Sequence, residues 1–294
     1  MPEYDPVSPP VALTIAGSDS GGGAGVQADL SAMRAHGVFG ASVVTATTAQ
    51  HTRGVEDVHP LPADHVASQY AAVADDFDVG AIKTGMLATA GIVARVTELV
   101  GAADAPLVVD PVMVAATGDR LLSPAAEDAY DDLIAAATLV TPNADEAAVL
   151  TGESVETPAD AEAAGRELVA LGADAALVKG GHLTGAAAGD DTVVDTLVRT
   201  EGEGDGSSGA VVDRFATPRI DTEATHGSGC ALSSAIAARL ARGESVRGAV
   251  AAAVEEMTEA VRRGYDVGEG PGAVNPTTLG EEPGAVNPTT LGEE

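Results

Sequence analysis

Short runs of Val, Ile, Leu and Ala alternate along this chain with longer Ala-rich stretches, and that alternation restricts the fold more than any other feature. The runs fall at 11–17, 42–48, 79–83, 106–112, 138–141 and 175–179. Several are almost wholly apolar, as strands covered on both faces are. Helices are expected between them at 63–76, 89–100, 123–136 and 159–171, the third with Pro124 in a first-turn position after Ser123. Strand–helix alternation of this kind predicts a doubly wound, mainly parallel sheet with right-handed crossovers. Segments 191–199 and 211–220 read as an antiparallel pair around the polar loop 201–209, followed by long helices at 229–242 and 245–263. No linker divides the chain. The expected organisation is a flexible N-terminus at 1–10, a single domain at 11–268 and a polar tail at 269–294. Within that tail, residues 271–282 recur residue for residue at 283–294. The tail is expected to be partly disordered, its second copy above all, since it is polar and rich in Gly and Pro and a repeat architecture needs more copies.

Composition narrows the function classes. Aromatic residues make up only 2% of a 294-residue chain with no Trp, so the core must be built from Ala, Val, Leu and Ile. No apolar run approaches the roughly 20 residues that span a bilayer. The first ten residues carry no basic segment followed by an apolar one, so export is not expected. A single cysteine forms no internal disulfide, which suits a reducing cytosol. The formal net charge is −30, and such a field repels nucleic acid and anionic membranes. Asp and Glu are spread along the chain rather than clustered for a basic partner. They read as a solvated acidic surface adapted to high salt, where screening removes self-repulsion. Of the 15 basic residues only Lys83 and Lys179 are lysines, which makes both candidates for chemistry.

Ligands of open α/β sheets bind beyond the carboxyl ends of the strands, so the polar strings at those ends carry the functional reading. Gly17-Ser18-Asp19-Ser20-Gly21-Gly22-Gly23-Ala24-Gly25 follows the first strand and opens a helix bearing Asp29. Its spacing is not a dinucleotide fingerprint, and no Lys-Ser/Thr follows as in a P-loop. Gln50, after the second strand, both donates and accepts, which suits a pyrimidine edge. Met86 and Met113 follow two further strands, and such side chains mould to flat rings as readily as they fill a core. Asp110 ends the run Leu107-Val108-Val109, and a carboxylate there demands a partner or a metal. Asn143 is placed to cap a helix with Glu146 three residues on; Glu146 either completes a capping box or serves Mg²⁺ through water. Lys179-Gly180-Gly181-His182 puts a lysine at a strand end, in reach of a phosphate. Thr225-His226-Gly227-Ser228-Gly229-Cys230 runs into the apolar helix 231–240. Free amides at such a helix start form an anion hole aided by the macrodipole. The same dipole is expected to lower the thiol pKa of Cys230. An anion hole, a lysine and oxygen donors for Mg²⁺ read together as phosphoryl transfer.

In order, these strings resemble the hydroxymethylpyrimidine/phosphomethylpyrimidine kinases of thiamine synthesis, in the ribokinase superfamily. The pieces are Leu-Thr-Ile-Ala-Gly-Ser-Asp (13–19), Gly-Gly-Ala-Gly-Val-Gln-Ala-Asp-Leu (22–30), Lys-Thr-Gly-Met-Leu (83–87), Asp-Pro-Val-Met (110–113), Thr-Pro-Asn (141–143), Lys-Gly-Gly-His (179–182) and Thr-His-Gly-Ser-Gly-Cys (225–230). The resemblance implies a ribokinase-like three-layer α/β/α fold with a small antiparallel β element. It also implies two ATP-dependent phosphorylations, of 4-amino-5-hydroxymethyl-2-methylpyrimidine and then of its monophosphate. Gly17, Asp29, Gln50, Met86 and Val112 would line the pyrimidine pocket. ATP would meet Lys179, Asn143, Thr225, Gly227 and Gly229. Asp110 and Glu146 would serve Mg²⁺, and Gly227, Ser228 and Gly229 would form the hole, with Asp110, Lys179 and Cys230 beside the transfer. Cys230 stands where many ribokinase relatives carry an aspartate base, and either takes the proton or shapes the hole while a carboxylate takes it. A stand-alone cytoplasmic homodimer is the resulting expectation. A pyridoxal kinase of the same fold and a non-catalytic pyrimidine sensor are the rival readings.

Overall fold

The computed structural model describes residues 6–113, 129–181, 183, 191–200 and 209–280. Strands β1 (Val11–Ser18), β2 (Phe39–His51), β3 (Gly54–Pro60), β4 (Val79–Thr84), β5 (Leu107–Val109), β6 (Leu139–Val140), β7 (Ala175–Val178), β8 (Thr192–Thr200) and β9 (Ala210–Pro218) form one sheet. Its order is β3-β2-β1-β4-β5-β6-β7-β8-β9. The centre, from β2 to β7, is parallel, while β3, β8 and β9 run antiparallel to their neighbours. The expected antiparallel pair at 191–199 and 211–220 is present as β8 and β9, and it joins the main sheet through β7.

Period-two alternation sorts the strand side chains into two cores. Leu13, Ile15, Ile82, Leu107, Val109 and Val140 face one side. There they meet α2 (Ala63–Ala74), α3 (Ala90–Val100) and α4 (Asp131–Ala135). Ala81, Val108, Leu139, Ala175 and Leu177 face the other, under α7 (Ser228–Ala241) and α8 (Val246–Arg262). Helix α1 (Gly25–Ala35) lies beside α7, while α5 (Ala144–Thr151) and α6 (Pro158–Ala170) cover β7. Helix α7 is buried along nearly its whole length, and its Ala and Ser side chains let it lie flat between sheet and α8. These are the three layers the resemblance implied.

Three expectations need correcting or bounding. Strand β3 was not expected; it is a half-exposed edge strand that folds back on β2 through Thr52-Arg53, so its apolar pattern is weak. The expected helix at 123–136 lies outside the described residues up to 128 and ends as α4. The first tail copy is not loose. Ala273, Val274, Thr278 and Leu279 are buried, and Val274 and Leu279 join the core beneath α7 and α8. Two backbone bonds tie Ala273 to Tyr265 and another ties Asn275 to Ala260. The second copy, most of loop 201–209, and His182 lie outside the described residues. Among the described residues no helix is long and apolar enough to cross a membrane.

Candidate active site

The strand order reverses beside β1, whose neighbours are β2 and β4, and the chain ends of these strands open onto one cavity of about 790 Å³. This is where the switch-point rule puts a ligand. Each strand delivers one or two side chains or loops to it: β1 the glycine-rich turn, β4 Met86, β5 Asp110, β6 Asn143 and Glu146, β7 Lys179. The start of α7 closes the far side.

The charged centre is compact. Asp110 is 1% exposed and takes a hydrogen bond from Lys179 Nζ at 3.1 Å on Oδ1. Its Oδ2 lies 3.2 Å from the hydroxyl of Ser233, one turn into α7. Lys179 Nζ also stands 3.8 Å from Glu146 Oε2. Burial works against a charge on Lys179, yet Asp110 and Glu146 hold its pKa above the ordinary value, so it stays an ammonium. Glu146 does complete the capping box. It accepts the Asn143 N–H at 2.7 Å, while the Asn143 side chain accepts the Glu146 N–H at 2.8 Å. Burial, opposed by Lys179 and reinforced by Asp110, pushes the Glu146 carboxyl up to about 7.

The α7 start has the features of an anion hole. Gly227 caps it at φ +77, where a Cβ would overlap the carbonyl oxygen of Gly23, so only glycine fits. No side chain caps the helix, which leaves first-turn amides for a ligand. Thr225, Gly227, Ser228, Gly229 and Cys230 all line the cavity. The thiol itself departs from expectation. Burial, then Asp29 and Asp110 against the pull of Lys83, raise it to about 12. Burial above all, with the carboxylates that the strands and α1 bring close, outweighs the helix terminus, and Cys230 is a neutral thiol.

Gly17, Gln50, Met86 and Val112 line the opposite end, away from the β8–β9 side. Asp29 does not. It is fully buried and accepts from Thr14 Oγ1 (2.6 Å), Ser234 Oγ (2.7 Å) and Lys83 Nζ (2.9 Å). The face of α1 that carries it packs onto β1, β4 and α7 rather than onto the cavity. Lys83 is spent on the same pair and is also fully buried, so of the two lysines only Lys179 reaches a ligand. Sequence reasoning missed Asp195 on β8, which accepts the Gly180 N–H at 2.7 Å and fixes the turn after Lys179. Its signal was an acidic residue inside Val193-Val194-Asp195-Thr196-Leu197. An apolar wall was missed too: Val254, Met257 and Val261 of α8 with Ile220. Among the described residues no group of three or more His, Cys, Asp or Glu is arranged to hold a metal by protein ligands alone.

The family described as Phosphomethylpyrimidine kinase matches residues 19–275. The hydroxymethylpyrimidine/phosphomethylpyrimidine kinase of Streptomyces coelicolor is 48% identical over 271 residues, 92% of this chain and 95% of its own length. Among solved structures, the ADP complex of Bacillus subtilis pyridoxal kinase aligns with TM-score 0.81 at 32% identity, covering 92% of this chain and 99% of that one. Phosphomethylpyrimidine kinase from Clostridium difficile 630 aligns with TM-score 0.72 at 37% identity, over 85% of this chain and 99% of that one.

Proposed function

The chain belongs to the phosphomethylpyrimidine kinase family, and on that premise we infer that it transfers phosphoryl groups from ATP to 4-amino-5-hydroxymethyl-2-methylpyrimidine and then to its monophosphate. The observation that carries this reading is the single cavity itself. It joins a flat-ring end, made of Gly17, Gln50, Met86 and Val112, to a phosphate end of Lys179, Asp110 and uncapped α7 amides. Gln50 borders the ring end, with Oε1 3.2 Å from the Thr48 hydroxyl and Nε2 3.5 Å from His226 Nε2.

Phosphoryl transfer asks a protein mainly for position and for charge on the equatorial oxygens. Lys179, held charged by Asp110 and Glu146, supplies one positive group, and the amides of 227–229 supply aligned dipoles. Asn143 and Thr225 border the same space, and the α8 wall offers an apolar face to the adenine. Asp110 and Glu146 fit Mg²⁺, which takes one or two carboxylates together with phosphate oxygens and water. Bound there, the ion would neutralise charge between the phosphates. Cys230, as a neutral thiol, shapes the hole rather than taking the proton. A loose transfer does little covalent chemistry at the acceptor, so a thiolate is not required.

The likeness to pyridoxal kinase supports a second acceptor, a pyridine alcohol. Parallel measurement of kcat/KM on the pyrimidine alcohol and on pyridoxal decides between them; a clear preference for pyridoxal overturns the first reading. The resemblance also supports a cytoplasmic homodimer, which light scattering would check. The net charge of −30 supports adaptation to high salt. The packed first tail copy supports a kinase unit that runs to residue 280 rather than 268.

A further inference from the structure

Two loops from opposite ends of the chain meet at the mouth of the cavity. One is the turn 19–24 between β1 and α1, and the other is 225–227 before α7. His226 joins them through Nε2, 3.1 Å from Asp19 Oδ2. An ionised carboxylate only accepts, so Nε2 carries the proton and donates. The remaining capacity of Asp19 is used within its own loop: Oδ1 takes the Gly21 N–H at 2.8 Å and Oδ2 the Ala24 N–H at 2.9 Å. Its own N–H donates to Gln27 Oε1 at 3.0 Å. Burial pulls the Asp19 carboxyl upward, yet these bonds, His226 first, keep it below the ordinary value and therefore charged. The main chain of His226 is pinned as well. Its N–H donates to Gly272 O at 3.1 Å, and its carbonyl accepts from Val274 N–H at 3.0 Å. A Cβ on Gly23 would run into the His226 ring, so the two loops touch without room for a side chain.

Neither Asp19 nor His226 belongs to the Asp110–Lys179–Glu146 group. What the pair fixes is the position of 227–229 relative to the glycine turn at the acceptor end. We propose that Asp19 and His226 form a positioning clasp that sets the distance between the phosphate hole and the acceptor pocket. The clasp rests on the reading of 227–229 as that hole. A charge-assisted bond with both partners otherwise anchored holds such a distance to fractions of an ångström. A misplacement of about 1 Å costs about 10²-fold in rate, with little change in the binding of either substrate.

The test uses the full chain with ATP and the pyrimidine alcohol, melting each variant alongside. His226→Ala and Asp19→Ala are each expected to lower kcat about 10²-fold, with KM for both substrates little changed. The double variant should lose no more than either single one, since the pair acts as a unit. His226→Gln, whose amide can still donate to Asp19, should restore most of the turnover. Asp19→Asn keeps the shape and Oδ1 but turns N–H toward His226, so it gives the same reading if His226→Ala does not fold. Wild-type kcat in His226→Ala or Asp19→Asn, additive losses, or no recovery in His226→Gln would each overturn the clasp. Lys179→Met is the control for the underlying reading. If it turns over normally, the phosphate site itself is misassigned; if it is slow while the clasp variants are fast, only the clasp fails.

Discussion

Glu146→Gln should make the protein more stable and less active, and the gain in stability should depend on pH. Glu146 is 6% exposed, with Asp110 close enough to add to the cost of burial that Lys179 only partly offsets. Its carboxyl titrates near 7 in the folded chain against 4.5 for the ordinary side chain. Between those values the folded state keeps a proton that the unfolded state has released. Stability therefore falls as pH rises through the window and stays low above it. The gap between 4.5 and about 7 corresponds to at most about 3 kcal/mol. Gln stays neutral throughout, matches the volume, and can still accept the Asn143 N–H as the capping box requires. Lys179 keeps Asp110 at 3.1 Å. Urea denaturation of both proteins, followed from below pH 4.5 to above pH 7, is the assay. The two should match at the acid end and diverge to about 3 kcal/mol at the alkaline end, or several degrees in Tm at roughly 2–4 °C per kcal/mol. Turnover of the variant should drop at every pH, as expected where a strained site trades stability for function. A variant that is less stable than wild type above pH 7, or a gap that does not change with pH, refutes the reasoning.

Three further outcomes follow from the same contacts. Lys83→Met strips the buried Asp29 of its counter-charge and should cost about 3–5 kcal/mol in urea denaturation, although neither residue lines the cavity. Cys230 should alkylate slowly with iodoacetamide at pH 9, where a free thiol with a pKa of about 8.5 is mostly thiolate; rapid alkylation would contradict the neutral thiol. Ending the chain at Gly270 exposes the groove that Val274 and Leu279 fill, each worth about 1.5–3 kcal/mol when buried, and frees His226 from two backbone bonds.

Strands buried on both faces write themselves as apolar runs, so β1, β4, β5 and β7 were legible, and with them the residues that follow their carboxyl ends. That is why Asp110, Lys179, Met86 and the 225–230 string meet in the cavity, beyond the carboxyl ends of the strands. Elements with one wet face were harder. Strand β3 exposes most of its side chains, and the first tail copy packs through only a few apolar residues, Ala273, Val274 and Leu279, set among Gly, Pro and polar ones. The resemblance puts Asp29 in the pyrimidine pocket, but a motif match locates a helix face and not which neighbour that face meets. The Cys230 thiol failed for a related reason. A helix terminus is visible locally, whereas burial, the larger cause, and the nearness of Asp29 and Asp110 arise only when distant parts of the chain pack, and they reverse its effect. Asp195 was readable in principle, as a charge inside an apolar strand that burial would oblige to find a partner.

The account stands on one reaction. Incubating the protein with ATP, Mg²⁺ and 4-amino-5-hydroxymethyl-2-methylpyrimidine, and following phosphorus by ³¹P NMR, reads it directly. A monophosphate ester that rises first and a diphosphate that replaces it, matched by ADP, is the predicted result. ATP left unconsumed, or hydrolysed to inorganic phosphate with no ester on the pyrimidine alcohol, would contradict it.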